Sequence, residues 1–143
     1  MTVAMILSEK GRHVVTSPPS RTMREVAQEL MRHGIGALVI IDGAGEVVGI
    51  ISERDLVSAI ATFGAEALES PVERHMQSNP LTVHENDTVD STMQTMTLER
   101  RRHLPVLRDG RLSGLVSIGD IVKYRIRVIE EEHRSMREYI AQA

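Results

Sequence analysis

Apolar residues in the first half of the chain follow two periods, and the period changes at turn residues. Over residues 23–31 they recur at helical spacing. Thr22 and Glu25 form a capping-box pattern before this stretch, and Gly34 after it suits a left-handed helix stop. The continuous apolar run at residues 37–41 is typical of a buried strand. We therefore predict a capped helix followed by a strand.

The same succession of elements is predicted twice along the chain. After the turn at residues 43–45, the first copy continues with a return strand over residues 47–51 and a helix from about Ser52. The second copy predicts a helix over residues 89–99, strands over 104–107 and 112–116, and a helix from Ser117 almost to the end. Short strands are also expected at residues 14–15 and 81–83, so each unit is β-α-β-β-α.

The elements repeat because the sequence itself repeats. At an offset of 66 residues the identical pairs are Thr16/Thr82, Thr22/Thr88, Gln28/Gln94 and Leu38/Leu104. One residue is lost at a turn, and at an offset of 65 the identical pairs are Gly49/Gly114, Ser52/Ser117, Asp55/Asp120 and Val57/Val122. Units of this size bury little core alone. We therefore predict an α+β fold whose two units pack sheet to sheet with pseudo-two-fold symmetry.

This repeat also predicts the domain boundaries. The predicted organisation is a first unit over residues 3–64, a linker over 65–75, a second unit over 76–126 and a helical extension over 127–143. An apolar stripe without a partner inside the repeat runs along the last helix through Ile126, Ile129, Met136 and Ile140. Such a stripe favours assembly, so a homodimer is expected.

Composition narrows the possible functions. The 143 residues are 41% apolar, but only 2% are aromatic, too few to stack bases of single-stranded nucleic acid. The net charge of −3 offers no basic field for nucleic acid or for a membrane surface. Cysteine is absent, and no apolar run has the length of a signal core or a membrane span. The expected location is cytoplasmic.

Each unit closes with the pattern Gly-apolar-apolar-Ser-x-x-Asp-apolar, and this pattern carries a family resemblance. It stands at residues 49–56 and again at residues 114–121. With the His103-Leu104-Pro105-Val106 stretch, it resembles tandem cystathionine-β-synthase (CBS) domains, or a Bateman module. The resemblance covers residues 3–126 and is greatest to small stand-alone bacterial proteins, so no attached enzyme is expected.

The resemblance implies clefts between the units that bind an adenosine ligand, namely AMP, ADP, ATP, NAD or S-adenosylmethionine. It assigns ribose binding to Asp55 and Asp120, and a phosphate-side hydroxyl to Ser52 and Ser117. In the family, the adenine pocket usually includes the first-strand segment of the opposite unit, and we call this the first-strand rule. By this rule Val15, Thr16, Ile35, Gly36 and Ala37 join Ser117 and Asp120, whereas Leu81 and Thr82 join Ser52 and Asp55.

The residue chemistry agrees with these roles. A carboxylate can accept hydrogen bonds from both ribose hydroxyls, and a serine at a helix start lies beside free backbone N–H groups. Arg101, Arg102 and His103 precede a strand, where guanidinium groups suit phosphate. The run of residues 99–103 is either a solvated helix end or a phosphate site. If it is a phosphate site, Arg102 and His103 belong to the Ser117 cleft, and we expect that cleft to prefer the more anionic ligand.

Besides a ligand-binding role, two other readings of the sequence remain open. The Ser-x-x-Asp pattern is also a helix-capping box. The chain would then be a structural dimer with empty clefts. A nucleotide-processing enzyme is the third reading, although the scattered histidines and the absence of a phosphate-loop motif give it no support, and no metal is expected. The preferred function is regulatory: the ligand changes the module, which signals to an effector protein or through its own assembly.

Overall fold

The computed structural model describes residues 1–142 and contains five α-helices and seven strands. The helices are α1 (Val3–Lys10), α2 (Met23–His33), α3 (Glu53–Phe63), α4 (Val89–Glu99) and α5 (Ile118–Gln142). The strands are β1 (Thr16–Ser17), β2 (Ala37–Ile41), β3 (Val47–Ser52), β4 (Gln77–Ser78), β5 (Val83–His84), β6 (His103–Arg108) and β7 (Arg111–Ser117). Short 3-10 helices at Gly64–Glu69 and Val72–Arg74 form the connector.

Each unit has its own sheet, and the two sheets share one design. In the first, β1 runs parallel to β2, β2 pairs with β3 as an antiparallel hairpin, and β4 adds to the far edge. In the second, β5 runs parallel to β6, and β6 pairs with β7 as an antiparallel hairpin. The repeated sequence therefore folds into a repeated topology, as predicted.

The two sheets cover each other on one face. In β2, Leu38 and Ile40 belong to the core under the helices of the first unit. The alternate residues Ala37 and Val39 point the other way, yet they are also buried. A sheet that is apolar and buried on both faces needs a second layer on each side. The helices supply one layer, and the sheet of the other unit supplies the second.

The segments that precede the two units are exchanged between them. Helix α1 comes first in the chain, but its buried residues Val3, Ile6 and Leu7 belong to the core of the second unit. Conversely, Val72, which precedes the second unit, lies in the core of the first. The domain boundaries stay a prediction, because residues that precede one unit in the chain pack in the core of the other.

Two glycines of the repeated motif are explained by this exchange. A β-carbon on Gly49 would collide with the side chain of Met76, and one on Gly114 would come within 2.7 Å of the Leu7 side chain. Each glycine therefore gives the crossing segment room to lie against the hairpin. Met76 and Leu7 occupy equivalent places, although no repeat in the sequence aligns them.

Most predicted elements agree with the structure, and the departures have local causes. Strands β1 and β5 begin about two residues later than predicted, since the parallel pairing with β2 and β6 starts only at Thr16 and Val83. The cap of α2 is half a capping box: the Thr22 hydroxyl accepts from the backbone N–H of Glu25, and the Glu25 carboxylate accepts from that hydroxyl. Ala143, the last residue of the predicted extension, lies outside the described residues.

Helix α5 is much longer than its counterpart α3. It has 25 residues against 11, and beyond Val128 its residues are exposed. All four residues of the predicted stripe are exposed: Ile126 lies just before Val128, and Ile129, Met136 and Ile140 lie beyond it. Within residues 1–142, no helix has the length and apolar character needed to cross a membrane.

Candidate functional site

The first Ser-x-x-Asp motif forms a complete capping box at the start of α3. The Ser52 hydroxyl accepts from the backbone N–H of Asp55 at 3.3 Å, and Asp55 Oδ2 accepts from the backbone N–H of Ser52 at 2.9 Å. The other carboxylate oxygen, Asp55 Oδ1, has a long contact of 3.5 Å to the amide of Gln77. One oxygen of Asp55 thus has its hydrogen bonds from the box, and the other is held weakly by a neutral group.

A cavity opens beside this motif at the seam between the two units. The empty space there, including the part open to solvent, is about 650 Å³. The residues of the first unit and of its edge strand β4 that line it are Gly36, Ala37, Ile50, Ser52, Glu53, Arg54 and Gln77. The residues of the second unit that line it are Arg100, Arg101, Arg102 and His103. We call this space the Ser52 cleft.

The backbone at Arg100 brings the basic run to this cleft. Arg100 ends α4 in a left-handed conformation with φ +54°, at the position that Gly34 holds after α2. A left-handed turn is costly for a residue with a β-carbon. Next to it, the Arg101 guanidinium donates to the side-chain carbonyl of Gln77. The turn therefore joins the basic run of one unit to the edge strand of the other.

The second Ser-x-x-Asp motif forms the same box with a different partner. The backbone N–H of Asp120 donates to the Ser117 hydroxyl at 3.2 Å, and Asp120 Oδ2 accepts from the backbone N–H of Ser117 at 2.8 Å. The same Oδ2 forms a 2.6 Å salt bridge with Lys10. Burial alone would raise the pKa of Asp120, but the hydrogen bonds from Lys10 and Ser117 and the lysine charge lower it.

The cavity that reaches Asp120 lies between α1 and α5. Its volume is about 470 Å³, and its other lining residues are Ile6, Glu9, Lys10, Lys123, Tyr124 and Arg127. Arg127 forms a 2.7 Å ion pair with Glu9 across this space. None of the residues that the first-strand rule assigned to Asp120 lines it. We call this space the Asp120 cleft.

His103 lies at the centre of the seam between the units. A β-carbon on Gly36 would lie 3.4 Å from its imidazole ring, in ordinary van der Waals contact. Burial lowers the pKa of His103, and the nearby positive charge of Lys10 lowers it further. Both effects favour the neutral ring.

The structure brings together only part of the predicted site. Gly36, Ala37, Ser52, Arg102 and His103 line one cavity. The sequence assigned Arg102 and His103 to Ser117, whereas here they line the same cavity as Ser52. Their assignment to a ligand site stays a prediction.

Neither of these two cavities is lined by the other predicted residues, which are Val15, Thr16, Ile35, Asp55, Thr82 and Ser117. Ile35 lines a shallow depression with Glu53, Val15 packs against the first core, and Thr16 and Thr82 are exposed. The sequence interpretation missed Lys10 and Gln77. Neither lies in the repeated motif, and the 66-residue offset does not pair them, so no local signal marked them. Among residues 1–142 there is no cluster of three or more histidine, aspartate and glutamate side chains suited to a metal ion.

Comparison with known proteins identifies the family. The CBS domain model matches twice, at residues 10–62 and 72–127. A crystal structure of a CBS-domain-containing protein from Agrobacterium tumefaciens is 46% identical, with a TM-score of 0.85, over 87% of this chain and 99% of that one. An uncharacterised Methanopyrus kandleri protein is 36% identical over 132 residues, which are 89% of this chain and 67% of that protein. The chain belongs to the CBS domain family and is a tandem CBS pair.

Two further solved structures contain ligands. The CBS domain pair of protein MJ0100, in complex with 5-methylthioadenosine and S-adenosyl-L-methionine, is 30% identical with a TM-score of 0.78, covering 87% of this chain and 94% of that one. A Pyrobaculum aerophilum CBS domain protein complexed with AMP is 31% identical with a TM-score of 0.76, covering 84% and 89%. All three of these small molecules contain adenosine.

Proposed function

We propose that this chain is a non-catalytic regulatory module that binds an adenine nucleotide in the Ser52 cleft. The observation that carries the proposal is the composition of that cleft. The capped start of α3, with Ser52 and the Glu53 carboxylate, lines one side, and a run of three arginines lines the other; Asp55, which is bonded to Ser52, does not itself line the cavity. Carboxylate and hydroxyl groups suit a ribose, whereas guanidinium groups suit phosphate. Two solved relatives that hold adenosine compounds support the same ligand class.

The charge of the cleft favours ligands that carry several phosphate charges. Arg54, Arg100, Arg101 and Arg102 outnumber the single carboxylate of Glu53 among its lining residues. ATP, ADP and NAD bring negative charge to these cations. S-adenosylmethionine brings a positive sulfonium and would be repelled. We therefore expect ATP or ADP to bind more tightly than S-adenosylmethionine or adenosine.

Calorimetric titration of the full chain with ATP, ADP, AMP, NAD, S-adenosylmethionine and adenosine tests this function. The expected result is saturable binding, with ATP or ADP tightest, and ATP recovered intact after incubation. Absence of heat and of any thermal shift with all six compounds would favour the alternative of a structural module with empty clefts. Turnover of ATP would favour the enzyme reading.

We also propose that the exposed part of α5 forms a homodimer contact, through which binding is reported to an effector protein. Helix α5 starts at the Asp120 motif, so a change at the seam reaches its far end through one rigid element. Replacing Ile126 and Ile129 together by Glu would place charge on the stripe. We expect at least a tenfold weaker dimer by light scattering at micromolar concentration, because burying unpaired charge is costly. A monomeric wild-type chain would contradict this contact.

A further inference from the structure

Lys10 holds the carboxylate of the second motif from outside the repeat. It is the last residue of α1, whose apolar face is fixed in the core of the second unit. Its ammonium group lies 2.6 Å from Asp120 Oδ2 and donates a second hydrogen bond of 2.7 Å to the carbonyl oxygen of Leu115. Two bonds from one anchored side chain fix the ammonium on Asp120.

The first motif has no equivalent ion pair. There, the residue that meets Asp55 is Gln77, a neutral amide at 3.5 Å, at the limit of a hydrogen bond. The carbonyl end of the same Gln77 side chain is bonded to Arg101. A ligand hydroxyl that approaches Asp55 Oδ1 therefore competes with a weak contact, whereas Asp120 already has a short charge-assisted bond at Oδ2, the oxygen that also closes its capping box.

This difference between the partners of the two aspartates matters most for binding of the ribose. The ribose hydroxyls are neutral donors, and a carboxylate prefers an ammonium donor to a neutral one. The Asp120–Lys10 pair is only partly exposed, with side-chain exposures of 23% and 36%, so water screens it less than a free surface pair. The lysine charge neutralises Asp120, so this carboxylate is a weaker acceptor for ribose hydroxyls than Asp55, which has no ion pair.

We propose that Lys10 is the residue that makes the two clefts unequal: its ammonium group occupies Asp120, so that the nucleotide loads the Ser52 cleft and leaves the Asp120 cleft empty. The inference rests on the proposed nucleotide-binding function. It specifies how many nucleotides each chain binds and which residue determines that number. Removing the ammonium opens Asp120, while Lys123 and Arg127 remain in its cavity as cations for phosphate.

The test is calorimetric titration of the full chain with ATP, comparing the wild type with Lys10→Gln, which copies Gln77. The wild type should bind one ATP per chain, and Lys10→Gln should bind two, the second at least tenfold tighter than any second event in the wild type. The control Lys10→Arg keeps the positive charge and should bind one. Melting curves check that each variant is folded.

The double variant Asp55→Ala with Lys10→Gln locates the second site. It should still bind one ATP, because only its Ser52 cleft is impaired. A single site in Lys10→Gln, two sites in the wild type or in Lys10→Arg, or no binding by the double variant would overturn the inference. ATP binding that is unchanged by Lys10→Gln contradicts this inference alone, whereas absence of binding in every variant also contradicts the proposed function.

Discussion

The two clefts are built on the same four-residue motif but differ in what meets it. At both helix starts a serine and an aspartate form a reciprocal capping box. The box at Ser52 faces a basic seam and a neutral glutamine, whereas the box at Ser117 faces a lysine that neutralises its aspartate. The repeat therefore sets the helix starts, and the unrepeated segments set their surroundings.

This comparison shows why a repeated motif does not imply two equal sites. Residues 49–56 and 114–121 have nearly the same local structure, because capping is a local interaction. Gln77 and Lys10 come from the segments that cross from one unit to the other, and these segments have no sequence repeat. The neutral amide of Gln77 and the charged ammonium of Lys10 therefore give two equivalent motifs different charge surroundings.

The largest expected effect separates the two aspartates. Asp55→Ala should weaken ATP binding roughly tenfold or more, because charge-assisted hydrogen bonds to the ribose are lost. Asp120→Ala should change it less than about twofold, a difference near the error of such measurements. Both variants lose a capping box, so each is the other's control for helix capping. Calorimetry that gives the larger loss for Asp120→Ala would reverse the proposed ranking of the clefts.

A smaller effect is expected from the basic seam. Arg102→Ala should weaken ATP binding about two- to fivefold and leave adenosine binding unchanged, since exposed ion pairs contribute little. The loss should shrink as salt rises, because the Debye length is about 8–10 Å near physiological ionic strength. Arg108→Ala, at the distant β6–β7 turn, is the matched control. Equal losses for adenosine and ATP would mean that Arg102 supports the fold instead.

The fold was largely predictable because its signals are local. Apolar spacing, the turn at residues 43–45 and the repeat offset predicted the units, and the family resemblance added their arrangement. The strand edges were less predictable, because β1 and β5 are pairs of residues whose ends depend on a partner strand. Helix α1 was missed, since its role depends on a core that lies about 80 residues or more further along the chain.

The candidate site was only partly predictable for the same reason. Ser52 and Asp55 are marked by their own spacing, but the position of Arg102 depends on a backbone turn. A glycine at position 34 predicts a left-handed conformation, whereas an arginine at position 100 does not. Contacts such as Lys10 with Asp120 join residues 110 positions apart and leave no pattern in one sequence.

The smallest expected effect concerns that left-handed turn. Arg100→Gly gives the second unit the cap that Gly34 gives the first. It should raise the free energy of unfolding by about 0.5–1 kcal/mol, because relief of the left-handed conformation exceeds the entropy cost of a glycine. It should also lower ATP affinity slightly, because one cation leaves the Ser52 cleft. Urea denaturation and calorimetry measure the two effects separately.

The matched control for this prediction is Arg100→Ala. Alanine removes the same guanidinium but keeps a β-carbon, so ATP affinity should fall as in Arg100→Gly without the gain in stability. A gain in stability only with glycine, together with weaker ATP binding by both variants, would mean that the chain retains a strained arginine where it serves the ligand. If both variants leave ATP binding unchanged, Arg100 contributes no phosphate contact, and the basic seam of the Ser52 cleft begins at Arg101.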